Sequence, residues 1–273
     1  MILTTQSHIR WFKNTGQTIQ TSEGDSIEVL EFKHEHDEEI LSSWAKHFRE
    51  HYCLDSEIDF FREGFNYTRA EYLNIIKFPD SSRTPGPSIR AGDFGEILVA
   101  DYLEFILNYW VPRTRYGTKI IGNESSKGCD TLAFKIISDG EYTPEDTLAI
   151  FETKTQFSGT KANPRLQNAV DDSKKDVARK GESLNAIKQQ LYLKNELEES
   201  KRINRFQNPT DHPYKEISGA VAMFSSSLLD FSTITNTSIN EHPNKDNLTL
   251  LVIHGENMMT LVHELYRRAA DEA

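Results

Sequence analysis

Cysteine is scarce. Cys53 and Cys129 are the only two in 273 residues, which excludes a disulfide framework and a four-thiolate zinc site. Both are expected to be reduced. Long apolar runs are missing as well. No stretch approaches the roughly 18 consecutive apolar residues of a membrane span, and the mean hydropathy is −0.58, so the expectation is a soluble, cytoplasmic chain with no membrane contact. The opening Met1-Ile2-Leu3-Thr4-Thr5-Gln6 has no basic region followed by an apolar one, so no secretory leader is expected. Positive charge is in deficit, with 31 Lys and Arg against 42 Asp and Glu and a net charge of −11. That balance is unusual for a chain that grips nucleic acid unaided. A Gly-x-x-x-x-Gly-Lys-Ser/Thr loop is lacking, which leaves no obvious ATP site, and the lack of a Gly-x-Ser-x-Gly elbow argues against an α/β-hydrolase. There is no internal repeat and no low-complexity tract.

The charge that is present is regional. Between Glu23 and Glu63 there are 13 acidic and 4 basic residues, whereas Lys154 to Arg205 carries 12 basic and 7 acidic ones. The second stretch suits phosphate contact along one face, and it equally suits an ordinary solvated helix. Alternating apolar and polar residues predict a strand over 26–33. Helical spacing of Ile40, Leu41, Trp44, Phe48 and Tyr52 predicts a helix over about 37–52. Shorter helices are expected over 55–64 and 68–77. The turn formers of Pro79–Pro87 mark the boundary between an accessory α/β region, 1–80, and a core, 85–273. In the core the spacing predicts a helix over 93–109 and strands near 115–121, 129–137 and 147–155. A charged helical stretch over 165–200, strands over 217–224 and 248–254, and a helix over 257–270 follow. Helix, three strands, helix, strand, strand, helix is a mixed α/β order.

Chemistry concentrates in Leu148-Ala-Ile-Phe-Glu-Thr-Lys-Thr-Gln156. Period two puts Glu152, Lys154 and Gln156 on one face of the strand. Upstream, Lys127-Gly-Cys-Asp130 opens the apolar strand Thr131–Ile137, so two carboxylates on adjacent strands offer hard oxygen ligands for Mg²⁺. Glu96 heads an apolar stripe in Asp93-Phe-Gly-Glu96, where it suits either a second metal or a metal-bound water. The same Asp-x-x-Glu is also a capping-box pattern, and both readings stay open. His47 and His51 stand four residues apart, but no third ligand is evident.

Taken in order, Gly95-Glu96, Gly128-Cys-Asp130 and Glu152-Thr-Lys154 resemble the pattern of PD-(D/E)XK nucleases, with Cys129 where the superfamily name has proline. More narrowly, Ala91-Gly-Asp-Phe-Gly-Glu96, Arg113-Thr-Arg-Tyr116, Gly128-Cys-Asp130 and Ile150-Phe-Glu-Thr-Lys154 are similar to the HamA family, nuclease subunits of bacterial Hachiman antiphage systems. The likeness covers about 85–255. It implies a restriction-endonuclease-like core and a Mg²⁺-dependent deoxyribonuclease, with Mn²⁺ able to substitute. It also implies DNA as substrate and a HamB-like helicase as partner. Asp130 and Glu152, with the Thr153 carbonyl, would ligate the ion. Lys154 would orient the attacking water, and Gln156 would contact a phosphate or that water. The basic helix after 165 would track the DNA backbone, and the acidic region before residue 80 would dock the partner or shield the cleft. The alternatives are a stand-alone restriction or repair nuclease and a catalytically silent adaptor on a helicase.

Overall fold

In the computed structural model, which describes residues 6–273, six strands form one mixed sheet. The stretch read above for a leader lies, apart from Gln6, outside the described residues. Strand β1 (Phe12–Gln20) runs antiparallel to β2 (Ser26–Phe32). Helix α1 (Glu38–Glu50), the short helices α2 (Ile58–Arg62) and α3 (Arg69–Tyr72), and the long helix α4 (Gly86–Asp101) follow. Next come β3 (Thr131–Lys135) and β4 (Thr147–Gln156). Then come α5 (Arg165–Ser173), α6 (Asp176–Leu193), α7 (Leu197–Arg202) and α8 (Asn204–Gln207). Strand β5 (Lys215–Ser225), helix α9 (Phe231–Thr235), strand β6 (Leu248–Gly255) and helix α10 (Met258–Asp271) are the last elements. The strands lie in the order β1-β2-β6-β5-β4-β3. The inner four are parallel to one another, and both outer pairs are antiparallel.

Strand periodicity sorts the core into two layers. Ala149, Phe151, Val221, Met223, Leu251 and Ile253 pack with α1, α4 and α10 on one face. On the other, Ala220, Ala222, Phe224, Leu250 and Val252 meet Leu166, Ala169 and Val170 of α5. Leu132, Phe134, Leu148 and Ile150 meet Leu184, Leu191 and Phe206 of α6 and α8. Helix α1 is amphipathic as the spacing predicts and is capped by Asp37, whose carboxylate accepts from Ile40 N at 3.1 Å.

Three expectations change. The helix read as 93–109 starts at Gly86 and passes at Tyr102 into a π-helical turn that ends at Ile106. Pro87 had marked a turn, yet it sits in the first helical turn, where its missing N–H costs nothing. Asp93-x-x-Glu96 is therefore mid-helix and forms no capping box. Residues 115–121 form turns and bends, not a strand. Their apolar residues do not line a sheet: Ile120 is 95% exposed, and Arg115 and Tyr116 turn inward to the carboxylates described below. The three-strand order thus becomes two strands, with Trp110 adding a single bridge to Phe134. The sheet also continues across the expected boundary near residue 80, because β2 pairs with β6 and one core cluster holds Trp11, Phe48, Phe94 and Tyr266 together. No helix among the described residues is long and apolar enough to cross a membrane.

Candidate functional site

The site forms where β4 outruns its neighbour. Thr131 pairs with Phe151 as β3 begins, so Asp130 stands in register opposite Glu152 just beyond the ladder. Asp130 then takes over the ladder's work, its Oδ2 accepting from Thr153 N at 3.1 Å. A strand residue points its N–H and C=O to the same edge, so the Thr153 carbonyl faces the gap left by β3. Alternation puts Asp130 with Leu132 and Phe134, and Glu152, Lys154 and Gln156 with Leu148 and Ile150, all on the face covered by α5 and α6.

On that face Lys154 bridges two carboxylates. Its Nζ donates to Glu152 Oε1 and lies 2.8 Å from Asp172 of α5. Burial, followed by the charge of Asp130, pushes the Glu152 carboxyl up to about 8, against the pull of Lys154. The two carboxylates hold the Lys154 ammonium above its ordinary range despite burial. Gln156 shares the face but does other work. Its amide donates to Lys161 O at 2.8 Å and accepts from Asn163 N at 2.8 Å, which pins the loop after β4.

Glu96 comes from the opposite side of the sheet. Helix α4 lies close on β4 because residue 95 is glycine: a Cβ there would stand 2.4 Å from Thr155 Cγ2. Glu96 joins Asp130 round the end of β3 through Arg115. The guanidinium donates from Nη2 to Asp130 Oδ1 at 2.9 Å, and its Nε lies 2.8 Å from Glu96 Oε2. The latter is an ion contact and not an aligned hydrogen bond. Arg115 also donates to the carbonyl of Cys129, so it holds the loop that delivers Asp130. Tyr116 donates to Glu96 Oε2 at 2.5 Å. Burial pushes the Glu96 carboxyl up to about 8, with Asp130 and Asp93 adding repulsion and Arg115 opposing it. Beside Asp130 and Glu96 opens a cavity of about 340 Å³, walled by Arg115, Lys127, Thr131 and Ile187.

Gly128 delivers Asp130 through backbone shape. Its φ is +90°, and a Cβ would stand 2.9 Å from Ser183 Oγ of α6. That serine accepts from Cys129 N at 3.1 Å. Both cysteines are free and buried. Burial raises the Cys129 thiol to about 12, which makes it inert at neutral pH.

Sequence reasoning quoted Arg115 and Tyr116 only within the Arg113–Tyr116 likeness, without a site role, and missed Asp172 and Asp176. Arg115 and Tyr116 lay in a stretch read as a strand, and Asp172 and Asp176 were counted only as charges of a long helical region. The helix is interrupted by a turn between Ser173 and Asp176, and nothing in the local pattern marks that interruption. The basic stretch is largely consumed within the fold. Lys174, Lys175, Lys180, Lys201 and Arg202 are all ion-paired, and Arg205 is buried against Asp146. Lys161, Arg165, Arg179, Lys188 and Lys194 make no ion pair among the described residues.

His47 and His51 find a third neighbour that the sequence did not reveal. Their ligand atoms and those of Asp101 all lie within 4.8 Å of one another. A cation already stands there, however. Arg113 Nη2 is 2.8 Å from Asp101 Oδ1, and Arg113 Nη1 is 3.2 Å from His51 Nε2. His8 Nε2 donates at 2.9 Å to the other Asp101 oxygen. The group is a closed network tying the chain start and α1 to α4.

A mixed α/β sheet that brings an Asp, a Glu-x-Lys and a helix Glu to one strand end defines an α/β protein with a buried acid–lysine centre. The HamA family model matches residues 7–269, and the chain belongs to that family. The match extends well beyond the 85–255 that carry the motifs. Membership fits a component of Hachiman antiphage defence. No curated protein matches the chain.

Proposed function

We propose that this chain is a metal-dependent DNA nuclease on a PD-(D/E)XK-type core, acting as the effector of a helicase–nuclease defence complex. One observation carries the reading: Asp130 and Glu152 stand opposite each other at the open end of β3 and β4, with Lys154 two residues on and on the same face.

The residues present fit a hard divalent ion. All the donors are oxygens, which suits Mg²⁺ or Mn²⁺. Glu96, Asp130, Glu152, Asp172 and Asp176 gather five carboxyl groups around two cations, Arg115 and Lys154. Asp130 and Glu152, with the Thr153 carbonyl, would hold the ion. When bound, it would acidify its water and polarise a phosphoryl oxygen. The chain's own groups do the remaining work. Lys154, kept charged by Glu152 and Asp172, orients the water and offsets charge growing on the phosphorane. Arg115 fixes Asp130 and links it to Glu96. Gln156 acts indirectly, by holding the loop that carries Lys161. Lys161, Arg165, Arg179, Lys188 and Lys194 are the cations of the basic stretch left to meet a phosphate backbone, and such contacts are independent of base sequence and weaken with salt.

A net charge of −11 favours delivery of DNA by a partner over capture by this chain alone. The test is plasmid degradation by the chain alone and with its neighbouring helicase, in Mg²⁺ and in EDTA. Degradation should require both helicase and Mg²⁺ and should vanish in Glu152→Gln and Lys154→Ala, with melting temperatures near wild type. Full cutting in EDTA, or by Glu152→Gln, would sink the mechanism.

A further inference from the structure

Asp176 is out of place by ordinary rules. An acid in the first turn of an 18-residue helix such as α6 is usually solvated or bonded to the exposed N–H groups there. Asp176 is neither. It is only 3% exposed, and neither carboxylate oxygen has a hydrogen-bond partner among the described residues. An unpaired buried carboxylate costs several kcal/mol, and native folds keep one where something else meets it.

Its surroundings say what that is. Asp130 is the charged group that most strongly repels it, and Asp176 in turn repels Glu152. The Cys129 thiol lies beside it but does not reach hydrogen-bond geometry. Arg179 and Arg115 attract it, yet both stay outside ion-pair distance. The carboxylate thus lies with Asp130 and Glu152 beneath α6, with both oxygens free. Lys154 is already bound to Glu152 and Asp172, and Arg115 to Glu96 and Asp130. Arg179, the nearby cation without an ion pair of its own, does not reach Asp176.

We propose that Asp176 is the third carboxylate of the divalent-cation site built on Asp130 and Glu152, and that it holds the ion through a bound water. The inference rests on the nuclease reading above. The route through water follows from distance. Ligand atoms of Asp130, Glu152 and Asp176 do not all fall within 4.8 Å of one another, unlike those of His47, His51 and Asp101. Mg²⁺ keeps several of its waters when it binds protein, so a carboxylate at this remove accepts from one of them and adds charge without direct contact.

The experiment is calorimetric titration of Mn²⁺ into EDTA-stripped, dialysed full-length protein, with melting curves of the metal-free samples. Wild type should bind Mn²⁺, and Asp130→Asn should not. Asp176→Asn should bind about tenfold more weakly, the loss typical of groups behind the direct ligands. Its metal-free melting temperature should equal or exceed that of wild type, because the change removes an unpaired buried charge. Asp176→Ser tests the same loss with a smaller side chain. Wild-type Mn²⁺ affinity in both variants overturns the inference, as does a lowered melting temperature with unchanged affinity or a failure of both to fold. In those cases Asp130→Asn still separates the parent reading. If wild type binds no Mn²⁺, the nuclease reading falls as well.

Discussion

Replacing Arg115 with methionine removes the guanidinium that joins Glu96 to Asp130 while keeping most of its apolar stem. Two buried carboxylates then lose their shared cation, and breaking a buried pair of this kind costs about 3–5 kcal/mol. The lower end applies here. Glu96 already holds its proton up to about pH 8 and tightens that hold once Arg115 is gone, so it escapes as a neutral acid and leaves Asp130 as the principal unpaired charge. The carbonyl of Cys129 also loses its donor, which adds about 1 kcal/mol. The expected loss is therefore about 3–4 kcal/mol, read from urea midpoints at constant slope. Arg115→Lys should recover little, because a single ammonium cannot serve two carboxylates from one position. Arg115→Met with Asp130→Asn should recover about 1 kcal/mol or more if the penalty is electrostatic. A loss under 1 kcal/mol in Arg115→Met would refute the reasoning, since it would mean water screens both acids.

Stability of the metal-free protein should carry a pH signature. Burial raises Glu96 and Glu152 from an ordinary 4.5 to about 8. Each group's contribution is thus full below the unfolded value and lost as pH rises through the folded one. Wild type minus Glu96→Gln, compared by urea unfolding near pH 5 and near pH 8.5, should fall by at most about 1.4 kcal/mol per pH unit, and a difference that rises with pH contradicts the sign. Gly95→Ala should lift α4 from β4, since the new Cβ would stand 2.4 Å from Thr155 Cγ2. A cost of about 1–3 kcal/mol is expected, with recovery in Gly95→Ala/Thr155→Ser, and thermal melting checks both.

The parts of the site legible in the sequence are those set by strand period alone. Glu152, Lys154 and Asp130 could be placed on adjacent strands because apolar runs identified β3 and β4 and alternation fixed the face. Period also put Gln156 there, correctly as to side. It could not show that a loop backbone of Lys161 and Asn163 would capture the amide, because that depends on where the chain turns. Arg115, quoted in a family-like run, received no site role for a different reason. Its neighbours Ile120 and Ile121 suggested a strand, whereas a guanidinium drawn between two acids outweighs the preference of a short apolar alternation. Asp172 and Asp176 depended on the break between α5 and α6, which no glycine or proline announces.

The pairing of β2 with β6 has a consequence for synthesis. Strand β2 leaves the ribosome early, but the parallel neighbour it needs begins at Leu248, and the helix that packs on α1 begins at Met258. Domains usually fold as units as they emerge, and long-range parallel pairing is slow to close. A nascent chain therefore already contains Asp130, Glu152 and Lys154 while the sheet that must support β4 still lacks an inner strand. The acid–lysine centre can become rigid only after α10 has emerged, so the order of the strands acts as a timer: a chain still on the ribosome carries the acids and the lysine without the frame that positions them.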